Sequence, residues 1–254
     1  MMIASWNVNS LRVRLEHVCD WLKHRQPDVL GLQEIKLMTD AFPADAFDAL
    51  GYHAAVLGQK TYNGVALLSR EPAHDVVCGI PGFEDEQSRV ITASYAGIRV
   101  VNVYVPNGQS VGSDKFAYKM DWLDALHDYL GTELQAHAEL LVMGDFNIAP
   151  DDRDVHDPKA WRGKVLCSDE ERAKLKRLLD LGLKDCFRLF EQPERVYSWW
   201  DYRNLAFRRK HGLRIDLILA SDRLAGRCTE SSVDIEPRRL ERPSDHAPVY
   251  AVFR

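Results

Sequence analysis

Residues 140–147 read Leu-Leu-Val-Met-Gly-Asp-Phe-Asn, an apolar run that ends in a glycine, a carboxylate, an aromatic ring and an amide. The apolar residues predict a strand over Leu140–Gly144 that is covered on both faces. On an extended chain Asp145 and Asn147 point to the same side, and Gly144 leaves room for a close approach. An isolated Asp-x-Asn is usually only a turn that ends a strand. The stretch therefore becomes a candidate site only if other polar groups gather beside it.

Three further apolar runs end in the same way, at Trp6-Asn7, at Tyr104-Val105-Pro106-Asn107 and at Arg214-Ile215-Asp216. The predicted strands are Ile3–Val8, Val29–Leu32, Val65–Ser69, Val90–Tyr95, Arg99–Val105, Leu140–Gly144, Arg214–Ala220 and Ala247–Phe253. Side chains with oxygen atoms at the ends of rigid strands are suited to building a site.

Longer segments between these strands have helical spacing. Leu11 to Leu22 predicts one helix, which Pro27 prevents from continuing, and Phe116 to Leu134 predicts a second. A third begins after Ser168, because Glu171 completes a capping box, and stops at Gly182. No linker, repeat or composition break divides the chain, so we expect one domain over residues 1–254.

Charge and cysteine content exclude several classes of protein. The 254 residues carry 38 acidic and 33 basic side chains, a net charge of −5, so any polyanion must meet a local patch or a metal. Five cysteines without a CxxC pair do not make a disulfide scaffold or a zinc knuckle. There is no P-loop, no Gly-x-Gly-x-x-Gly and no Gly-x-Ser-x-Gly. Nor is there a signal peptide or an apolar run of membrane-spanning length, so we expect a reducing, cytoplasmic location.

Two further segments, outside the four apolar runs described above, carry acidic side chains at Glu34 and Asp245. Glu34 follows an apolar strand, where a surface salt bridge is the usual explanation; with Asn7 it could instead hold Mg²⁺ or Mn²⁺. Ser244-Asp245-His246-Ala247-Pro248 is either a turn or a metal-binding and proton-handling pair. Neighbours on an extended chain face opposite ways, so His246 needs another carboxylate. Asp216 can supply it, or can equally well pair with Arg214 or another arginine.

An aromatic stretch, Tyr197-Ser198-Trp199-Trp200-Asp201-Tyr202-Arg203, precedes a basic one that contains Arg208, Arg209, Lys210, His211 and Arg214. Aromatic rings stack on bases and arginines bind phosphate, so these residues predict a nucleic-acid surface. Since tryptophans are usually core residues, at least one of Trp199 and Trp200 is expected to serve packing only.

The motifs together resemble the exonuclease III family of the endonuclease/exonuclease/phosphatase superfamily. The resemblance runs in unbroken order from residue 3 to residue 253. The segments that carry it are Ser5-Trp6-Asn7-Val8-Asn9, Leu32-Gln33-Glu34, Asn63-Gly64-Val65-Ala66, Asn102–Asn107, Gly144–Asn147, Gly212–Asp216 and Ser244–Pro248. It implies an α/β four-layer sandwich, DNase I-like, in which two mixed β-sheets are flanked by helices.

The resemblance also implies an activity. It predicts a Mg²⁺-dependent phosphodiesterase, with Mn²⁺ able to substitute, that cleaves double-stranded DNA 5′ to abasic sites. It further predicts 3′-end processing of blocked ends and 3′→5′ exonuclease activity, by a monomer associated with the bacterial nucleoid through DNA and not with a membrane. Residues 154–164 lack the Lys-Gly-Asn-x-x-Asn stretch of eukaryotic-type members and resemble the bacterial branch.

Site residues follow from the same matching positions. Asp145, helped by Asn147, would orient or deprotonate the attacking water, and Asp216 with His246 would form a carboxylate–imidazole pair beside the phenol of Tyr104. The implied metal set is Asn7, Glu34, Asp145, Asn147, Asp245 and His246. The implied substrate-binding residues are Asn107, Trp199, Leu213, Arg208, Arg209 and Lys210, with Trp199 and Leu213 lining a pocket for a flipped-out abasic sugar.

Two other interpretations compete with this one. A phosphodiesterase of the same superfamily, acting on a phosphoinositide, a sphingolipid or a small nucleotide, would keep the metal set but would not need Trp199 or the basic residues. A DNA-damage binding module would need no catalysis, and the intact acidic and imidazole groups argue against it.

Overall fold

The computed structural model describes residues 1–254, which form two six-stranded sheets with helices on their outer faces. The strands are β1 Met2–Asn7, β2 Val29–Gln33, β3 His53–Leu57, β4 Val65–Ser69, β5 His74–Cys78, β6 Val90–Tyr95, β7 Ile98–Tyr104, β8 Leu140–Asp145, β9 Leu183–Asp185, β10 Asp216–Ser221, β11 Cys228–Val233 and β12 Val249–Phe253. The α-helices are α1 Leu11–Arg25, α2 Ala44–Asp48, α3 Asp114–Ala136, α4 Pro158–Trp161, α5 Asp169–Asp180, α6 Ala206–Arg209 and α7 Asp222–Ala225. None of these helices has the length and apolar character needed to cross a membrane.

Both sheets are mixed. The first has the strand order β11-β12-β1-β2-β4-β3, and the second has the order β5-β6-β7-β8-β10-β9. Each contains one parallel pair, β1 with β2 and β7 with β8, and its other pairs are antiparallel. One apolar cluster lies between the sheets, a second joins α3 and α5 to the second sheet, and a third joins α1 and α2 to the first. The predicted four-layer sandwich is therefore confirmed.

The strand pairing brings several strand ends to one rim. In the first sheet Asn7, the last residue of β1, is paired with Gln33 at the end of β2. In the second sheet Asp145, at the end of β8, is paired with both Tyr104 of β7 and Asp216 of β10. Parallel neighbours end at the same edge and β10 begins there, so polar residues from five strands share one rim.

A buried polar network holds the two sheets in register beneath this rim. Asn102 of β7 donates to the carbonyls of Leu32 and Ala66 in the first sheet, both at 3.0 Å, and accepts from Gln33 Nε2 at 2.6 Å. At Gly31 a Cβ atom would lie 2.9 Å from the Asn102 side chain, so only glycine permits this approach. The network fixes the position of one half of the rim relative to the other.

The structure also corrects several boundaries and adds elements. Arg214 and Ile215 precede β10, which begins at Asp216, and residues 247 and 248 precede β12. The capping box at Ser168 and Glu171 is present, with α5 starting at Asp169. Four strands that the apolar pattern did not predict are β3, β5, β9 and β11, and each of them is an edge strand.

Candidate active site

Two carboxylates face each other across one amide at the rim. Asn7 Nδ2 donates to Glu34 Oε1 and to Asp145 Oδ2, at 2.9 Å in each case. Glu34 lies just after β2 with a φ of 50°, and its second oxygen is 3.0 Å from Lys36 Nζ. Asn7 Oδ1 accepts from the backbone N–H of Asn9 at 3.0 Å. As placed, Asn7 therefore orients the two carboxylates and has its own oxygen engaged elsewhere.

Asp145 is held from two further directions by Asn147. The Asn147 N–H donates to Asp145 Oδ1 at 2.9 Å, and Asn147 Nδ2 donates to Asp145 Oδ2 at 3.2 Å. Asn107 Nδ2 in turn donates to Asn147 Oδ1 at 3.1 Å. The bend depends on Gly144, whose φ is 148° and where a Cβ would lie 1.8 Å from the carbonyl oxygen of Val103. The result is a carboxylate with one geometry and almost no exposure.

His246 pairs with Asp216, which decides between the two alternatives left by the sequence. Its Nδ1 lies 2.9 Å from Asp216 Oδ2, and its Nε2 lies 3.7 Å from Asp145 Oδ2. Arg214 contacts other carboxylates instead, at 2.6 Å from Asp154 and 2.7 Å from Asp185. Arg214 is buried in these pairs, so it does not belong to the exposed basic surface predicted above.

The surroundings of the rim raise the pKa values of three of its side chains, Asp145, His246 and Tyr104. Burial raises the pKa of Asp145, and the Asp216 carboxylate adds to this against the opposing effect of His246. Burial by itself would lower the pKa of His246, but Asp216 and Asp145 outweigh it, and the pKa is raised. Burial, followed by the charges of Glu34 and Asp145, raises the pKa of the Tyr104 phenol well above its usual value. The phenol therefore keeps its proton at neutral pH and can donate a hydrogen bond.

The donor atoms fit a divalent cation. One ligand atom each from Glu34, Asp145 and His246 lie within 4.8 Å of one another. Two carboxylates this close repel each other, and a cation between them would relieve that repulsion. Carboxylate oxygens are also the ligands that hard divalent ions prefer. Of the predicted metal set, Glu34, Asp145 and His246 form this group, and Asn7 and Asn147 support it by hydrogen bonds.

Asp245 lies beside this group and is engaged differently. Its Oδ1 accepts from Asn9 Nδ2 at 2.9 Å, and its Oδ2 accepts from Trp199 Nε1 at 3.0 Å. Trp199 is bridged through its backbone to Leu213 and to His246. Asp245 therefore fixes the indole next to the catalytic histidine candidate, and in this structure it is not one of the three clustered donors.

One tryptophan of the aromatic stretch serves packing, as predicted. Trp200 is buried against Phe207, with the two rings at 5.1 Å, whereas Trp199 is only half-buried. Leu213 is fully buried in an apolar cluster onto which Trp199 packs. Leu213 therefore supports the indole from below, and its side chain is not open to solvent as a pocket wall would be.

A basic groove is lined in part by Trp161, whose ring packs against that of Trp199. The volume of the groove is about 720 Å³, and six basic and three acidic side chains line it. Arg172 is paired with Asp152. The other five basic side chains have no acidic partner, namely Lys159, Arg162, Arg195, Arg209 and Lys210. The rings of His156 and His211 stack within it at 4.7 Å, and Trp161 contacts both His156 and Trp199 by edge-to-face packing. Arg208 is exposed beside the groove and does not line it. The acidic chain thus carries a local cationic surface next to its carboxylates.

Several residues at the site were not found from the sequence. Arg89 lies over the Tyr104 ring at 4.7 Å and donates to the Tyr104 carbonyl at 3.1 Å. Ser198 Oγ accepts from the N–H groups of Ile215 and Asp216, both at 3.0 Å. Lys36 was also missed, but the sequence offered a reason to propose it. It follows Glu34 by two residues, and its Nζ forms an ion pair with that carboxylate.

Comparison with known proteins gives full-length matches. The sequence model of the endonuclease/exonuclease/phosphatase family matches residues 4–246. Exodeoxyribonuclease III of Haemophilus influenzae is 40% identical over 267 residues, which cover 100% of both chains. The 3′ phosphatase NExo from Neisseria, solved with a product DNA hairpin, has a TM-score of 0.98 at 49% identity, covering 100% of this chain and 99% of that one. An AP endonuclease from Archaeoglobus fulgidus has a TM-score of 0.95 at 41% identity, with the same coverage.

Proposed function

The chain belongs to the endonuclease/exonuclease/phosphatase family, and we propose that it is a Mg²⁺-dependent DNA-repair phosphodiesterase of the exodeoxyribonuclease III type. It would cleave duplex DNA 5′ to abasic sites, process blocked 3′ ends and remove nucleotides in the 3′→5′ direction. The observation that carries this proposal is the convergence of Glu34, Asp145 and His246, with Asp216 behind the imidazole. We further propose that residues 1–254 act as one domain and as a monomer, on the DNA of the bacterial nucleoid.

The reaction needs a positioned water and a stabilised phosphate. A bound Mg²⁺, held by Glu34 and Asp145, would neutralise phosphate charge as a Lewis acid. Asp145 would be the base for the attacking water, because Asn7 and Asn147 hold both of its oxygens in a fixed orientation at the rim. Asp216 holds the imidazole of His246 in one orientation, and the protonated ring donates to a phosphate oxygen through Nε2. The Tyr104 phenol offers a second donor at the same phosphate.

DNA as the substrate is supported by the basic groove. A chain with a net charge of −5 needs a local cationic surface to approach a phosphate backbone, and five unpaired cations form one beside Trp199. The Neisseria 3′ phosphatase, 49% identical, was solved with a product DNA hairpin. An abasic nucleotide has little stacking to lose, so moving it out of the duplex costs little and gives selectivity.

The test is a cleavage assay on three substrates. These are a duplex with one tetrahydrofuran abasic analogue, the undamaged duplex and a duplex with a 3′-phosphate, each incubated with Mg²⁺ and then with EDTA. We expect a single cut 5′ to the analogue, release of phosphate, and no products in EDTA. Cleavage of only a small phosphodiester would favour the other phosphodiesterases of the superfamily, and DNA binding without products under either condition would favour a binding module.

Trp199→Ala should reduce cleavage of the abasic duplex by about 10- to 100-fold, since the indole would pack against the extruded sugar and apolar burial of a large side chain contributes roughly 1.5–3 kcal/mol. Hydrolysis of bis(4-nitrophenyl) phosphate should change by less than about threefold, because that substrate does not reach the indole. Trp199→Phe is the matched control, since it keeps a ring and loses only the bond to Asp245. Equal losses on both substrates would indicate a folding defect and remove Trp199 from substrate binding.

Affinity for duplex DNA should fall as salt rises, because cations in the basic groove displace condensed counterions. Arg209→Ala with Lys210→Ala should lower the slope of log Kd against log salt by about one to two. Lys23→Ala, at the far end of α1, should leave the slope unchanged. The measurement is fluorescence anisotropy of a catalytically inactive variant, and a slope insensitive to the double substitution would remove these residues from the interface.

A further inference from the structure

A lysine that the reaction does not use is completely buried behind the site. Lys119 lies in the second turn of α3 with no exposure, among the apolar residues of the cluster that joins α3 to the second sheet. Burying an ammonium group costs free energy unless every N–H finds an acceptor. Here all three do. Nζ donates to Glu171 Oε1 at 2.5 Å, to the Asn147 carbonyl at 2.7 Å and to the Asn107 carbonyl at 3.2 Å.

The acceptors belong to three separate segments. Glu171 lies in the first turn of α5, and its remaining hydrogen-bonding capacity is taken by Ser168 and by the N–H of Leu166. Asn107 and Asn147 follow β7 and β8 at the rim, and the side chain of the first donates to that of the second. One ammonium group therefore connects the two rim loops that carry the site to the helix behind them.

The contact with Asn147 acts directly on the geometry of Asp145. Asn147 has a φ of 49°, in the left-handed region that asparagine enters more readily than most residues, and this turn sets the directions of its N–H and its carbonyl. Its N–H holds Asp145 Oδ1 on one side, and its carbonyl is held by Lys119 on the other. At Gly108 a Cβ atom would lie 3.1 Å from Lys119 Cδ, so the loop after β7 is also closely packed on the lysine stem.

We propose that Lys119 is a positioning residue, which holds the Asn107 and Asn147 carbonyls so that the Asp145 carboxylate keeps its orientation for the reaction. The expected effect on kcat rests on the proposed function. The alternative is that Lys119 serves only as the counter-ion of Glu171, a buried pair that stabilises the fold without acting on the site.

Two variants separate these roles. Lys119→Met with Glu171→Gln removes both charges of the buried pair together and keeps a side-chain oxygen at position 171 for the N–H groups of the α5 cap. Glu171→Gln removes the negative charge and keeps the Lys119 contacts with both carbonyls. We expect the double variant to melt within about 5 °C of the wild type, to lose about 30-fold in kcat on the abasic duplex and to change KM by less than threefold. Glu171→Gln should keep kcat within threefold.

Amide hydrogen exchange of residues 145–149 gives a readout that does not depend on activity. The double variant should exchange these amides at least tenfold faster than the wild type, whereas Glu171→Gln should not. The proposal would be overturned if the double variant kept the kcat and the exchange rates of the wild type. It would also be overturned if both variants lost kcat equally. If the wild type itself fails to cleave DNA, the proposed function fails while the exchange result still decides the role of Lys119.

Discussion

Asp145→Asn should reduce cleavage of an abasic duplex by about 10³-fold or more while the protein still binds that duplex. The size follows from losing a positioned base together with a charge that stabilises the reacting groups. The amide cannot accept the proton of the attacking water. The carboxylate accepts hydrogen bonds from Asn7 and Asn147 through both of its oxygens. In the variant, the amide NH₂ group would face N–H donors in place of one of these oxygens. Single-turnover kinetics on the abasic duplex would measure the loss.

DNA affinity is the control for this result. Removing a negative charge from the rim should leave the Kd for the duplex unchanged or lower it, because the site meets a phosphate. Asp124→Asn makes the same chemical change in a surface ion pair between α3 and α5, and should leave turnover within about twofold. Near-normal turnover in Asp145→Asn would show that this carboxylate is not part of the mechanism.

The sequence predicted the interior of the fold better than its borders. Strands such as β4 and β8 are buried along their whole length, so their apolar runs identify them without further information. The four strands that were missed all lie at sheet edges and carry exposed residues. In β5 the strand pairing also shifts between His74 and Val77, and in β11 between Cys228 and Glu230. Edge strands with bulges carry neither the alternation nor the apolar run on which the prediction depends.

The site could be assembled from the sequence only in part. Strand ends and resemblance together predicted which residues gather at the rim, because strand topology decides that. They could not decide between Arg214 and His246 as the partner of Asp216, since either pairing neutralises the charge equally well. The choice depends on Arg214 lying just before β10 and reaching Asp154 and Asp185. Lys119, placed among apolar residues on a helix, gave no pattern that pointed to the rim at all.

Glu34→Gln should abolish the dependence of both activity and stability on Mg²⁺. In the wild type, Mg²⁺ at about 100 times its Kd should stabilise the fold by about 2.7 kcal/mol, since it binds the folded chain and not the unfolded one. For a chain of this length that corresponds to roughly 5–10 °C in Tm. The variant keeps one acceptor for the Asn7 amide but loses a charged ligand. Its activity in Mg²⁺ should fall by at least about 100-fold, toward the level of the wild type in EDTA.

The metal-free proteins give the more discriminating comparison. Without a cation, Glu34 and Asp145 repel each other across the Asn7 amide, while Lys36 attracts Glu34 from its other side. Because Glu34→Gln removes both effects, Tm in EDTA should stay close to that of the wild type. A defect in folding would lower it instead. Differential scanning calorimetry with and without Mg²⁺, with Glu16→Gln on the exposed face of α1 as the control, measures both quantities. A Glu34→Gln protein that still gains several degrees from Mg²⁺ would show that the Glu34 carboxylate does not hold the cation.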